Sequence, residues 1–455
     1  MNGFGHHTPE TARRNKGDRM AAKIRRVRVA EVKLWNSTVG AVAWNDEKQA
    51  ADFEYEDEFI HGGVPVAPLM MPLRSGIFSF PALNRDTFRG LPGLLADSLP
   101  DRFGNALIDI WLQQQGRSAN DFTPVERLCY IGTRGMGALE FKPALTRESK
   151  TAVPLEVADL AALAGRILAQ RSDFKVSMRG DKAEALNTII RVGTSAGGAR
   201  AKAVIAWNPA TDEVRSGQVP APAGFEPWIL KFDGINDEEL QEPQEFGRIE
   251  YAYHLMAVQA GIEMTRCRLL EEGGRAHFMT RRFDRDQNGN KLHVQSLCAL
   301  GHYDFNMPGA YSYEQVFSLI QQIAIGHEAL REMFRRMVFN IIARNQDDHT
   351  RNISFCMDRN GAWRLSPAYD VTWAYRSGGS WTSRHQMRVN GKQDDFARED
   401  LVDAGIQYGI KDASAVIDHV SGTVSQWPSF AGQAGVSKAV QTMIGKTHRF
   451  DLTKP

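Results

Sequence analysis

The hydrophobic pattern changes period partway along the chain, and that change restricts the fold more than any other feature. From Val27, "VRVAEVKLWNSTVGAVAWN" alternates apolar and polar residues, and "DFEYEDEFI" continues in the same texture. A period of two belongs to strands with one buried face. "EPWILKFDG" follows the same rule, with Trp228, Leu230 and Phe232 on one face and Ile229 and Lys231 on the other. After it the spacing lengthens. Phe246, Ile249, Tyr253, Met256 and Ala260 keep the i, i+3, i+4 spacing of a helix, as do Leu330, Phe334, Met337 and Ile341. Strands first and helices afterwards predict an α+β chain in two lobes, β-rich at the N-terminal side and mostly helical at the C-terminal side.

Boundaries follow from texture. Residues 1–26 are polar, with His6, His7, Arg13 and Arg14 and little apolar periodicity, and read as a disordered tail. Residues 27–145 form a β-rich domain with helices, one starting near Asp101 and carrying Ala106, Ile108, Ile110 and Leu112. "LCYIGTRGMGALEFKP" closes it. The span 146–280 opens with a polar linker and holds a helix from about Leu155 to Gln170, a Gly-rich turn and the strand "AKAVIAWN". The span 281–455 is the helical lobe, with a long helix from about His327 to Arg344.

Composition removes several function classes. A formal net charge of +1 argues against a nucleic-acid binder that works by bulk charge. Cys129, Cys267, Cys298 and Cys356 are far apart, with no C-x-x-C spacing, so they read as buried thiols of a reducing compartment. No apolar run approaches the roughly 20 residues that span a bilayer, and the N-terminus has no signal-peptide core. A cytoplasmic location and no membrane partner are expected.

The chemistry concentrates in "ARNQDDHTRNISF", Ala343 to Phe355. The long helix ends near Arg344, the acidic loop follows, and Ile353, Phe355 and Met357 then alternate as a strand. "DRNG" turns the chain, Trp363 and Leu365 alternate in the return strand, and "SPAYDVTW" brings Asp370 back beside Asp347 and Asn352. Asp347 to Asn352 has the D-x-x-x-x-N spacing of a protein-kinase catalytic loop. Phosphoryl transfer needs an acid to orient the attacking hydroxyl and hard oxygen ligands to hold Mg²⁺ on the phosphates. Asp347 suits the first role, Asn352 and Asp370 the second. Taken singly, these residues are equally well read as turn caps and ion-pair partners, and Asp348 with His349 gives an alternative, a metal-dependent hydrolase.

Upstream parts bear on the choice. "GTSAGGARAK", Gly193 to Lys202, is a Gly-rich turn before a strand. Glycines let backbone N–H groups approach phosphate oxygens. It is neither a Walker A loop nor a G-x-G-x-x-G. Lys231 ends its strand as the lysine of V-A-I-K does, and Glu250, one turn into the next helix, is placed to fix it. The order Gly-rich turn, strand lysine, helix glutamate, D-x-x-x-x-N, hairpin and Asp favours a kinase.

In these motifs the chain resembles the HipA family, serine/threonine-kinase toxins of bacterial type II toxin–antitoxin modules. "LPGLLADSLPDRFG" and "LCYIGTRGMGALEF" are similar to its N-terminal domain. "SAGGARAK", "ILKFDG", "RRFDR", "NQDDHTRN" and "LSPAYD" are similar to its kinase motifs, in order. The resemblance implies a two-lobed protein-kinase-like fold with Asp347 catalytic, Asn352 and Asp370 as Mg²⁺ ligands, and Tyr-Asp in place of Asp-Phe-Gly. It implies ATP phosphates on Lys231 and on the turn of Gly193, Gly197 and Gly198, with the backbone from Arg281 to Phe283 as the hinge against adenine. Ser195 matches the family's autophosphorylated serine, with Thr194 beside it. The implied partners are a small HipB-like helix-turn-helix antitoxin, operator DNA reached mainly through it, and an aminoacyl-tRNA synthetase as the phosphorylated protein. A kinase-like scaffold without activity, serving as antitoxin partner and co-repressor, is the competing class. The chain departs from ordinary kinases at "NPATDEVRSGQVPAPAGFEP", a long insertion before the Lys231 strand, and "AYRSGGSWTSRHQ" after Asp370 reads as a mobile activation-type loop.

Overall fold

Among the described residues three antiparallel sheets hold the strand segments, and in the first the sequence alternation becomes burial. In the computed structural model the described residues are 26–145, 152–169, 200–219, 222–235 and 245–453. The tail to residue 25, the linker, Thr194 and the turn residues Gly193, Ser195, Gly197 and Gly198 lie outside them. Strands β1 (Val29–Leu34), β2 (Ser37–Asn45), β3 (Ala50–Tyr55), β4 (Ile77–Ser79) and β5 (Leu139–Lys142) form a sheet in the order β4-β3-β2-β1-β5. Trp35 and Asn36, both at positive φ, make the tight β1–β2 turn. Ala30, Val32 and Leu34 face a core shared with Phe53, Phe141 and Leu128 of the Pro124–Ile131 helix.

The second sheet comprises β6 (Lys202–Trp207), β7 (Val214–Ser216), β8 (Glu226–Lys231), β9 (Cys267–Glu272) and β10 (Arg275–Arg281), in the order β7-β6-β8-β10-β9. The insertion does not part β6 from β8. It folds out as β7 on the outer edge, and β6 pairs directly with β8, Lys202 opposite Lys231. Trp228 and Leu230 of β8 are buried with Ala203 and Ile205 against the helices Arg102–Gln114 and Val157–Ala169. That leaves Ile229 and Lys231 to face the other way. The helix predicted near Asp101 thus packs on this second sheet.

The third sheet is β11 (His293–Ser296), β12 (Ser354–Met357) and β13 (Trp363–Leu365), in that order. The predicted hairpin is β12–β13, with Phe355 opposite Leu365; β11 adds a strand on its other side. Behind it stands the largest core, built by helices Phe246–Gln259, Tyr313–Gln322, His327–Ile342, Arg398–Gln407, Ala413–Val424 and Trp427–Gln433. The stripe Leu330, Phe334, Met337, Ile341 is buried there, as are Ile249, Tyr253 and Met256.

Candidate active site

Between the second sheet, the third sheet and the helical core lies a cleft of about 1390 Å³. Lys231, Glu250, Arg281, Phe283, Asp347, Asn352 and Asp370 all line it.

Lys231 reaches the cleft because its strand neighbours turn to the core. Its ammonium lies 2.6 Å from Glu250 Oε1 and also contacts Asp370 Oδ1. Glu250 is 2% exposed, and the helix that carries it approaches β10 closely only because residue 247 is glycine. A Cβ there would stand 1.9 Å from the Ala276 carbonyl oxygen. Burial alone lowers the Lys231 pKa, but the carboxylates of Asp370 and Glu250 outweigh it and hold the ammonium charged. For Asp370, burial pushes upward, Lys231 and Lys202 pull harder, and the pKa falls to about 2. Glu250 is raised, burial dominating over Lys231.

The acidic loop follows the His327–Ile342 helix, which stops as Arg344 takes a positive φ of 57°. Asn352 Nδ2 donates to the Asp347 carbonyl at 2.8 Å, which closes the loop on itself and leaves Asn352 Oδ1 as an acceptor. Asp347 Oδ1 accepts from Trp381 Nε1 at 2.6 Å, and His349 Nε2 lies 3.7 Å from the same oxygen. Burial raises the Asp347 pKa against the opposing pull of His349 and Trp381. Asp370 arrives at a positive φ of 53°, after Tyr369 has donated to the Arg351 carbonyl at 2.7 Å.

The neighbouring aspartate has a different task. Asp348 is 3% exposed, and its carboxylate accepts from Tyr313 Oη at 2.9 Å and from the Gln386 N–H at 2.7 Å, with His385 Nδ1 2.9 Å away. Among the described residues no group of three His, Cys, Asp or Glu side chains is arranged to hold a metal ion. The hydrolase alternative would need the Asp348 carboxylate, both of whose oxygens are already engaged by protein partners. Asp370 and Asn352 do offer the hard oxygens that suit Mg²⁺, an ion that completes its shell with waters and substrate phosphates.

At the expected hinge, the Arg281 N–H donates to Arg266 O and the Arg282 N–H to Pro227 O. Among the described residues, Phe283 is the member of this trio whose N–H is left for a ligand. Its ring stacks on Tyr369, centroids 5.5 Å apart, which ties the hinge to the residue before Asp370.

Three features had no place in the sequence argument. Arg282 and Asp284 are buried as an ion pair at 2.7 Å, Arg285 adds a second at 2.7 Å, and Asp284 also accepts the Gly137 N–H at 2.8 Å. Lys202 is buried 3.4 Å from Asp101, whose other oxygen caps the Arg102–Gln114 helix. Trp381 sits on Asp347. The segment after Asp370, read from sequence as a mobile loop, is tied to the acidic loop at both ends: the Gln346 N–H bonds Ala374 O, and the Gln386 N–H bonds Asp348 Oδ1 at 2.7 Å.

Comparison with known proteins bears on the family and the fold. The HipA-like C-terminal domain matches residues 194–428, and the HipA N-terminal domain matches residues 30–142. A Haemophilus influenzae protein, provisionally named as a kinase, is 30% identical over 174 residues, 32% of this chain and 51% of that one. The chain thus spans about half the length of this curated relative. A chain in the solved complex of Shewanella oneidensis HipA, HipB and operator DNA superposes with a TM-score of 0.64, covering 93% of this chain and 96% of that one at 17% identity. That likeness concerns the fold. No described helix is long and apolar enough to cross a membrane.

Proposed function

The chain belongs to the HipA family, and from that premise we propose that it is an ATP- and Mg²⁺-dependent serine/threonine protein kinase acting as the toxin of a HipBA-like module. The observation that carries the reading is the meeting of Lys231, Glu250, Asp347, Asn352 and Asp370 in one cleft, from four separate stretches of chain. Lys231, fixed by Glu250, contacts the nucleotide phosphates as a point charge. Asp370 and Asn352 Oδ1 would hold Mg²⁺, which would supply charge neutralisation for the transferring phosphoryl group. Asp347 orients the acceptor hydroxyl and takes its proton. Phe283 provides the free hinge N–H at the adenine edge. Catalysis by such a site is positioning plus electrostatic stabilisation.

The partners are an antitoxin of HipB type, operator DNA through that antitoxin, and an aminoacyl-tRNA synthetase as acceptor. For the first two the support is the fold shared with the HipA–HipB–operator complex; for the synthetase it is the family resemblance. Ser195 is the proposed autophosphorylation site. A phosphate of about −1.5 to −2 charge on the Gly-rich turn repels ATP phosphates, so its modification switches the kinase off.

The test is transfer of the γ-phosphate of labelled ATP with Mg²⁺. Wild type labels itself at Ser195 and labels a synthetase acceptor, and Asp347→Ala does neither while still binding nucleotide. A folded wild type that binds nucleotide and labels no protein overturns the kinase reading in favour of an inactive co-repressor scaffold. Phosphate release without an acceptor, abolished by His349→Ala, favours a hydrolase.

A further inference from the structure

Trp381 is the least expected neighbour of Asp347. It lies 34 residues beyond it, in a Gly/Ser-rich segment, yet its indole N–H donates to Asp347 Oδ1 at 2.6 Å. The donor is not placed there by chance packing. Gln386 Nε2 holds the Trp381 carbonyl at 2.6 Å, and the Gln386 N–H is bound by Asp348 Oδ1 at 2.7 Å. Asp348 is in turn fixed by Tyr313, whose hydroxyl also accepts from Asn340 Nδ2 at 3.0 Å. A chain of hydrogen bonds therefore runs from the His327–Ile342 helix through Asp348 and Gln386 to Trp381, and ends on the residue next to its own anchor.

A carboxylate on a loop can rotate about χ1 and χ2, and each rotation changes which oxygen faces the acceptor. The indole donor takes one oxygen, Oδ1, and leaves Oδ2 for the incoming hydroxyl. Tryptophan is suited to this: its indole is a donor only, so it cannot compete for the acceptor's proton. Resting on the kinase reading above, we propose that Trp381 is a positioning residue for phosphoryl transfer, locking the Asp347 carboxylate so that Oδ2 meets the acceptor hydroxyl. Asp348 and Gln386 form the support that delivers it.

The experiment compares wild type, Trp381→Phe and Gln386→Ala, reading turnover and the KM for ATP in phosphoryl transfer. Affinity for a fluorescent ADP analogue and the ¹⁵N-indole spectrum are recorded on the same proteins. Phenylalanine keeps the ring and removes only the donor. Turnover falls about tenfold or more, the scale of one lost hydrogen bond to a charged group, with the KM for ATP and the ADP affinity unchanged. The indole resonance missing from Trp381→Phe is also the one that moves in Asp347→Asn. Gln386→Ala lowers turnover in the same direction and shifts that resonance. Unchanged or raised turnover in Trp381→Phe, with wild type active, overturns the positioning role alone; a rise identifies the indole as a block on the acceptor site. A wild type that binds ADP and transfers no phosphate overturns the kinase reading and this role with it.

Discussion

Replacing Asp284 by asparagine tests how the Arg281–Phe283 segment, the proposed hinge, is held. The native carboxylate is fully buried and accepts from Arg282 Nε at 2.9 Å and Nη2 at 2.7 Å, from Arg285 Nη1 at 2.7 Å, and from the Gly137 N–H at 2.8 Å. Asparagine is nearly isosteric but uncharged, and its amide nitrogen would face guanidinium donors in place of an acceptor. At least two charge-assisted bonds are lost, each worth about 1.5–3 kcal/mol. Breaking a buried ion pair by neutralising one partner costs about 3–5 kcal/mol by an independent route. Both give about 4 kcal/mol, a large share of the roughly 5–15 kcal/mol that holds a typical domain folded. Urea unfolding followed by tryptophan fluorescence and circular dichroism measures the loss. The double variant Asp284→Asn with Arg285→Met removes one stranded cation and recovers part of it. A single variant within about 1 kcal/mol of wild type would refute the claim that this buried carboxylate organises the hinge.

Other consequences follow from the same geometry. Lys231→Met removes the cation that Asp370 and Glu250 hold charged, and affinity for ADP with Mg²⁺ falls about tenfold or more by titration of a fluorescent analogue. Gly247→Ala puts a methyl group 1.9 Å from the Ala276 oxygen, so the helix must retreat at a cost of about 1–3 kcal/mol, read as a lower melting temperature together with weaker nucleotide binding. His293 is buried, and burial, opposed by the Val66 carbonyl, pulls its pKa to about 4. The folded state therefore resists a proton that the unfolded chain accepts, and stability is lost as pH falls from about 6.5 towards 4. The loss at pH 5 is about 2 kcal/mol. His293→Gln makes the fall in urea midpoint between pH 7 and pH 5 shallower, and an unchanged fall counts against the assignment.

What could be read from sequence was whatever sits within a local pattern. Lys231 could be placed because alternation over six residues fixes which face it takes. Asp347, Asn352 and Asp370 could be associated because one short hairpin joins them, and Glu250 because helical spacing puts it one turn after Phe246. What could not be read depends on chain neighbours of distant origin. Trp381 lies among Ser377, Gly378, Gly379 and Ser380, a composition that signals a loop and nothing about where its indole ends. Arg282 and Asp284 point into protein, and the Gly137 N–H that Asp284 also accepts comes from a turn 147 residues earlier, which no local pattern could show. The four-residue β11 is too short to carry a period. The adjacent aspartates are alike in type and distinguished in sequence only by the D-x-x-x-x-N spacing; tertiary partners leave Asp347 lining the cleft and make Asp348 a buried anchor.

The N-terminal domain belongs to the cleft and is not an appendage to it. Asp97 accepts from the Ser296 N–H and hydroxyl, at 2.5 and 2.8 Å, at the end of β11. Lys291 Nζ reaches the Thr133 carbonyl at 2.6 Å and Glu140 at 2.8 Å, and Trp35 Nε1 returns a bond to the Lys291 carbonyl at 2.7 Å. Gly137 holds Asp284, and Asp101 holds Lys202 in the strand beside Lys231. Each of these contacts lands on a segment that flanks the candidate chemistry. The domain's core takes in Cys298 and Met357 from the helical side of the chain, so apolar packing as well as these polar bonds holds it against the cleft. Phe283, sitting between two braced residues and stacked on Tyr369, then passes that rigidity to Asp370. Tyr369 also donates to the Arg351 carbonyl of the loop that carries Asp347, so a shift of this domain against the helical core would disturb the proposed hinge, the proposed metal ligand and the Asp347 loop together.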